Sequence, residues 1–297
     1  MGTLAASPFG RIGATTPPIV IGSKLDLEGA LLGEMMLLAL EEARIPVENR
    51  LQIGPTSLVR TALLSGAIDL CPEYTGNAAF FFHEEGDPVW RDAAAGYARA
   101  ARSDYDLNRL VWLTPAPADN SWVIAVPELL ARKGNLYTME DFGRFVREGN
   151  KVKLAASAEF VESAAGLPAF EASYDFHLEA RQLLVLAGGE TSATMKAAAD
   201  GISGVNAAMA YATDGALKAL NLRALEDTRR AEPIYAPAPV IREATLANYP
   251  EVGGILDLIF TKLDLATLRD LNERVAVEGE DPRAVAREFL RAHGLLH

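Results

Sequence analysis

Short apolar runs and longer stretches with helical spacing alternate along nearly the whole chain. "PPIVIGSK" is a β-rich run ending near Gly22, and a helical pattern follows from about Asp26 to Arg44. "RLQIG" is a second run, and "PTSLVRTALLSG" reads as a helix capped by Thr56 or Ser57 and stopped at Gly66. "AIDLC" is a third run, with a polar Tyr-Thr-Gly-Asn turn directly behind it. A helical period in "DPVWRDAAAGYARAARS" then leads to a strand in "RLVWLTPAP". "SWVIAV", "KVKLAAS", "RQLLVLAGG" and "VNAAMAY" continue the series, each followed by a helical stretch. "DPRAVAREFLRAHG" closes the chain as a helix, with Asp281 at the cap, Pro282 in the first turn and Gly294 beyond the end. Alternation of this kind predicts an α/β protein of βαβ units with largely parallel sheets.

Two segments break the alternation. "TPAPADNS" (114–121) and "EPIYAPAPV" (232–240) are Pro-rich and extended, as a stiff connection between bodies would be. A chain of 297 residues is also long for a single core. Two crossings predict two doubly wound lobes. Residues 1–117 and 233–297 form the first, and 118–232 form a second inserted between them. A ligand cleft then lies between the lobes, at strand ends.

The residues at those ends are distinctive. Ser23 and Lys24 follow the first run; Tyr74, Thr75 and Asn77 follow the third. Asn120 and Trp122 sit at the first crossing, and Tyr235 at the second. Ser157 and Glu159 follow "KLAA", and Tyr211, Thr213 and Asp214 follow "VNAAMA"; Gly188, Gly189, Glu190 and Thr191 follow "LLVLA". Any one of these tyrosines reads equally well as packing, its hydroxyl bonded. Four large aromatics from distant parts of the chain, Tyr74, Trp122, Tyr211 and Tyr235, read instead as faces for a cation, at roughly 0.5–2 kcal/mol each.

Composition narrows the field. The chain is 49% hydrophobic and 23% charged, with a net charge of -12, which argues against nucleic acid or an anionic membrane as partner. The most apolar run, "ALLGEMMLLALEEA", is interrupted by Glu34 and is too short to span a bilayer. The N-terminus lacks the apolar segment of an intact signal peptide and reads as a leader, or as what remains after an export signal is removed. No metal site is expected, because His83, His177, His293 and His297 lack ligand spacing. "HEEGD" reads as a turn before a helix at Pro88, and "LAGGET" as a strand-to-helix turn capped by Thr191 or Ser192 in preference to a phosphate cradle. Cys71, the single cysteine, reads as a small buried hydrophobe. The enzymatic alternative uses it as a nucleophile, although no His stands near it in sequence.

"IGSK", "EYTGN", "DNSW", "AASAEF", "AYATDG" and "PIYAPAPVIRE", in this order, resemble the osmoprotectant-binding components of ABC importers. "WLTPAPADNSW" and "LAASAEF" are similar to the OsmF/YehZ branch in particular. The resemblance implies a type II periplasmic-binding-protein fold that closes on glycine betaine, choline or a similar quaternary ammonium compound. It implies no cofactor and no catalysis. It also implies a monomer in the periplasm, its export signal removed, that meets the permease and ATPase subunits of an importer. A sensing domain of this fold would carry a DNA-binding helix-turn-helix, and none is attached. Carried over by position, the aromatic cage is Tyr74, Trp122, Tyr211 and Tyr235, and Lys24 is placed to meet a ligand carboxylate. Asn77 takes the polar position three after the cage tyrosine; Thr75, Asn120, Ser157 and Thr213 complete the candidate set. Two positions depart from the pattern: Gly29 stands where many relatives have Gln, and Ser163 where an Arg often grips the carboxylate. Without that Arg, ligands lacking a carboxylate, such as choline, are expected to be favoured, unless another cation such as Arg242 supplies the charge.

Overall fold

The computed structural model describes residues 17–186 and 191–297. Its strands are β1 (Ile19–Lys24), β2 (Val47–Gly54), β3 (Leu70–Tyr74), β4 (Leu110–Trp112), β5 (Trp122–Pro127), β6 (Leu154–Ser157), β7 (Leu183–Leu186), β8 (Ala207–Tyr211), β9 (Leu222–Ala224) and β10 (Pro237–Arg242). Among the described residues these form two five-stranded sheets, one ordered β2-β1-β3-β10-β4 and the other β7-β6-β8-β5-β9. Each sheet is the centre of one lobe.

The sheets are mixed rather than largely parallel, which corrects the expectation from sequence. β5 runs antiparallel to β8 and β9, and β10 runs antiparallel to β3 and β4. The other pairings, β1 with β2 and β3, and β6 with β7 and β8, are parallel. The reversed strand in each sheet is the one that has just crossed from the other lobe. It starts at the edge where β3 or β8 ends, so it has to run back.

Alternate residues of each sheet feed cores on opposite faces, as the two-residue period of a strand requires. In the first lobe, Ile19, Ile21, Leu70 and Ile241 join one core, while Cys71, Ala238 and Val240 join another with Val59, Leu63, Trp90 and Trp112. In the second, Ile124, Val126, Leu154 and Met209 face one way and Ala125, Ala155, Ala208 and Ala210 the other. The apolar run read from sequence is the helix Leu27–Glu42. It is buried almost all round because the first sheet covers one side and the helices Glu251–Phe260, Leu265–Ala276 and Pro282–Ala292 cover the other. No helix among the described residues is long and apolar enough to cross a membrane.

Several end signals act as read. Asp26 and Asp281 accept from the backbone NH groups of Gly29 and Ala284, and Gly66 ends its helix in the left-handed region at φ 76°. Others do not. Pro55, not Thr56 or Ser57, holds the cap position of the helix Thr56–Ser65, and no side chain caps it. A 3-10 turn, Pro88–Arg91, precedes the helix Ala93–Asn108. The third run is shifted, so that Pro72, Glu73 and Tyr74 belong to β3. Likewise Pro237–Val240, read as part of the second crossing, lie inside β10. Proline normally marks an edge or an end. Here Pro239 stands opposite Pro72 and sends its carbonyl the other way, to the NH of Leu113, so that neither NH is missed between β3 and β10.

One ion pair ties the helices behind β4 together. Asp104, with no exposed surface, accepts from Arg60 at 2.8 and 2.5 Å, from Trp112 Nε1 at 2.8 Å and from Asn108 Nδ2 at 2.8 Å. Replacing it leaves the guanidinium and the indole NH buried without an acceptor. Asp104→Ala is expected to cost about 3–5 kcal/mol of stability, read from the urea midpoint.

Candidate functional site

The reversed strands decide which side chains meet at the cleft. Tyr74 ends β3 and stands opposite Pro237, which starts β10; Tyr211 ends β8 and stands opposite Trp122, which starts β5. Trp122 and Tyr211 stack with ring centres 6.4 Å apart and planes 22° from parallel, and Phe160 braces Trp122 edge-on at 5.5 Å. Tyr235 lies in the second crossing, two residues before β10. Each lobe therefore contributes a tyrosine from an outgoing strand and receives a crossing that carries an aromatic.

The segment Glu73–Asn77 builds the first-lobe wall. Glu73 accepts from Lys24 Nζ at 2.7 Å, from the Tyr74 NH at 2.8 Å and from Asn77 Nδ2 at 2.6 Å. Thr75 clamps the second crossing: its hydroxyl donates to the Ile234 carbonyl at 2.7 Å and accepts from the Ala236 NH at 3.0 Å, one residue either side of Tyr235. Gly76 is the seat of Tyr235. A Cβ built there would lie 2.7 Å from two atoms of the ring.

The crossings are stitched to each other. Asn120 N donates to the Tyr235 carbonyl at 3.0 Å, Tyr235 N to Asp119 Oδ1 at 2.9 Å, Ser121 Oγ to the Pro233 carbonyl at 3.0 Å and Trp122 N to Glu232 Oε2 at 3.2 Å. A third junction joins the lobes through the helix Leu265–Ala276. Arg269 Nε donates to the Ala212 carbonyl at 2.5 Å and Asn272 Nδ2 to the Thr213 carbonyl at 2.9 Å, while Lys218 meets Glu273 at 3.2 Å. Gly215 rests directly on that helix; a Cβ there would fall 2.1 Å from the Glu273 nitrogen.

The candidate polar residues are engaged within the protein. Lys24 pairs with Glu73 and lies 4.4 Å from the centre of the Tyr74 ring. Ser157 caps the helix Ala158–Glu162, and Thr213 donates to Asn120 Oδ1 at 2.7 Å. Ser163 ends that helix and accepts from the Ala165 NH. Arg242 terminates β10, five residues and about 17 Å of strand from the cleft end at Pro237, and bonds to the Leu63 carbonyl. It is therefore no substitute for the missing arginine. Gly188, Gly189 and Glu190 lie outside the described residues.

The charge around the aromatics is acidic. Burial, with Glu159, Asp214 and Asp26 adding to it, pushes the Tyr211 hydroxyl up to about 12. Burial likewise raises Tyr235, with Glu232 and Glu159 adding to the shift. Burial also lifts the Asp119 and Glu232 carboxyls in the crossings. Glu28, Glu73 and Asn272 complete the site, and none was picked out from sequence as a site residue. Glu28 was within reach of sequence reasoning, standing four residues after Lys24. The other two are joined by distant residues, Glu73 by Lys24 from 49 residues away and Asn272 by Glu28 from 244.

Such a molecule is a solute-binding protein: two lobes, two stitched crossings, and a cleft that offers faces for binding. The catalytic alternative fails on Cys71, which is 1% exposed inside a core and whose thiol burial pushes far above its usual range. Among the described residues no group of three or more His, Cys, Asp or Glu is arranged to hold a metal ion. Comparison with known proteins makes the class specific. The chain belongs to the family of substrate binding domains of ABC-type glycine betaine transport systems, which matches residues 17–292. It is 51% identical to the glycine betaine-binding protein YehZ of Escherichia coli K12, over 93% of this chain and 91% of that protein. It is 31% identical to a glycine-betaine-binding protein of Pseudomonas aeruginosa, over 93% of this chain and 88% of that one. The solved structure of apo YehZ from Escherichia coli superposes with a TM-score of 0.82 at 50% identity, covering 94% of this chain and 100% of the other. The protein is thus a substrate-binding component of an ABC importer and not an enzyme.

Gly76→Ala tests the seat of Tyr235. The backbone at Gly76 is ordinary helical, at φ -64°, and the three atoms nearest to the added methyl all belong to the ring. Ligand affinity is expected to fall about tenfold or more while the melting temperature moves by a few degrees at most. Titration calorimetry and thermal melts on the same sample check both halves.

Proposed function

We propose that the chain captures a quaternary ammonium compound, glycine betaine or choline, between Tyr74, Trp122, Tyr211 and Tyr235. The lobes close over it and hand it to the permease and ATPase subunits of the importer. In this reading the protein acts as a monomer in the periplasm. The lobes divide at 117/118 and 232/233, inside segments that carry no strand.

The observation that carries the reading is the stacked Trp122–Tyr211 pair at the strand ends of one lobe; the Tyr235 ring on its glycine seat is the other lobe's contribution. Aromatic faces in an acidic, partly desolvated cleft hold a cation that cannot hydrogen-bond. The names of the relatives point to glycine betaine. The geometry supports a grip mainly at its ammonium end, since Lys24 is paired with Glu73, Arg242 is remote and Ser163 is a helix cap. Thr75, Asn77, Asn120, Ser157 and Thr213 then act chiefly by holding the walls of the cage.

Titration calorimetry with both ligands tests this. Trp122→Ala is expected to cost roughly 1–2 kcal/mol or more for each, since a desolvated indole is the best cation-π partner. Choline is expected to bind at least as tightly as glycine betaine. Unchanged affinity in the variant removes Trp122 from the cage, and much tighter betaine binding shows that the carboxylate has a firm partner.

A further inference from the structure

Glu28 lies in the first turn of the helix Leu27–Glu42, 7% exposed. Its Oε1 accepts from the Tyr74 hydroxyl at 2.7 Å and from Asn120 Nδ2 at 3.1 Å; its Oε2 accepts from Asn272 Nδ2 at 2.6 Å. The Asn272 amide is oriented by its second partner, a carbonyl that can only accept. Asn120 Oδ1 accepts from Thr213 Oγ1, and Asn272 Nδ2 also donates to the Thr213 carbonyl. Burial raises the Glu28 carboxyl, and the hydrogen bonds from Tyr74 and Asn272 oppose that shift and favour the carboxylate. None of those donors is a cation, and Lys24 is engaged with Glu73. A buried anion whose charge is met only by neutral donors is poised for a cation to arrive.

Its contact with the cage is direct. A phenol donating to a carboxylate has a more electron-rich ring, and a more negative face binds a cation more strongly. The Lys24 ammonium, held by Glu73, lies 4.4 Å from the Tyr74 ring centre, so this ring already has one cation beside it. The same carboxylate ties Tyr74 to the first crossing through Asn120, and to the junction with the second lobe through Asn272.

We infer that Glu28 is a specificity-determining residue of the cleft: its carboxylate is the counter-charge behind the Tyr74 wall that selects a cationic head group over a neutral one. The inference rests on the cage reading and names the residue that sets its charge. Glu28 acts through Tyr74 and is a positioning residue, so its test has to separate charge from shape.

The probes are choline, glycine betaine and dimethylbutanol, the uncharged isostere of choline in which carbon replaces nitrogen. Each is titrated into wild type, Glu28→Gln, Tyr74→Phe and the double variant, with dimethylbutanol read by displacement. Glu28→Gln is expected to weaken choline and glycine betaine about tenfold or more, and dimethylbutanol by less than about threefold. Tyr74→Phe, which keeps the ring and removes the hydroxyl, is expected to act in the same direction. The double variant should bind no worse than Glu28→Gln alone, because both changes act on one contact, the first by removing its charge and the second by removing its donor. Cation affinity within about twofold of wild type overturns the inference, as does a parallel loss for all three probes, which marks a merely structural role. Losses that multiply in the double variant overturn the route through Tyr74. If dimethylbutanol is too weak to displace anything, the double-variant comparison decides. If Glu28→Gln does not fold, Tyr74→Phe alone decides by the same cation-against-isostere ratio. Failure of wild type to bind either charged probe is a different result, and it removes the cage reading itself.

Discussion

A strand that crosses from one lobe to the other has to enter its new sheet from the cleft edge. Much of the site follows from that constraint. β5 and β10 start where β8 and β3 end, so Trp122 is set opposite Tyr211, and Tyr235 is brought onto the turn behind Tyr74. Two pairs of distant segments are thereby brought together, Trp122 with Tyr211 and Tyr235 with the turn that follows Tyr74. The hydrogen bonds between the crossings, Asn120 to Tyr235 and Tyr235 to Asp119, fix the backbone that carries them. In the proposed capture, closure of the lobes would move walls whose local shape is already set.

Charge completes what shape begins. The chain is acidic overall, and the cleft concentrates that sign: Glu28 sits behind Tyr74, and Glu159 and Asp26 act on the tyrosine hydroxyls. The buried lysine at the cleft is neutralised by Glu73 at 2.7 Å. An ammonium without hydrogen-bond donors gains from faces and field together, whereas a carboxylate meets little free positive charge among the groups that the sequence had offered for it. The third junction, where Gly215 rests on the helix Leu265–Ala276, lets the hydrogen bonds around Glu28 touch both lobes at once.

Much of this was legible in the chain. Helix ends marked by Asp26, Gly66 and Asp281 depend on local hydrogen bonds, so a few neighbouring residues specify them. The two lobes and the two crossings followed from the alternation of elements and from an ordered set of family-like motifs. Strand direction was not legible, because periodicity is the same whichever way a strand runs. The third run was placed three residues early because Pro72 reads as a break, and only its cross-strand partner Pro239 makes it tolerable. Thr75 and Ser157 were picked out for the cleft, but their bonds go to Ile234 and Ala236 and to Phe160, and a side chain's choice between ligand and backbone is settled by packing. Glu73 was passed over because its lysine partner comes from across the fold, whereas Glu28, four residues after Lys24, was simply missed.

The central claim is that the ligand's ammonium sits among the four aromatics. A crystal structure of the protein grown with saturating glycine betaine or choline tests it most directly. The account predicts the ammonium nitrogen within about 6 Å of the ring centres of Tyr74, Trp122, Tyr211 and Tyr235, with the lobes closed over it. A ligand seated elsewhere, for example in the crevice lined by Lys218, Arg269 and Glu273, with the four rings uncontacted, would contradict it.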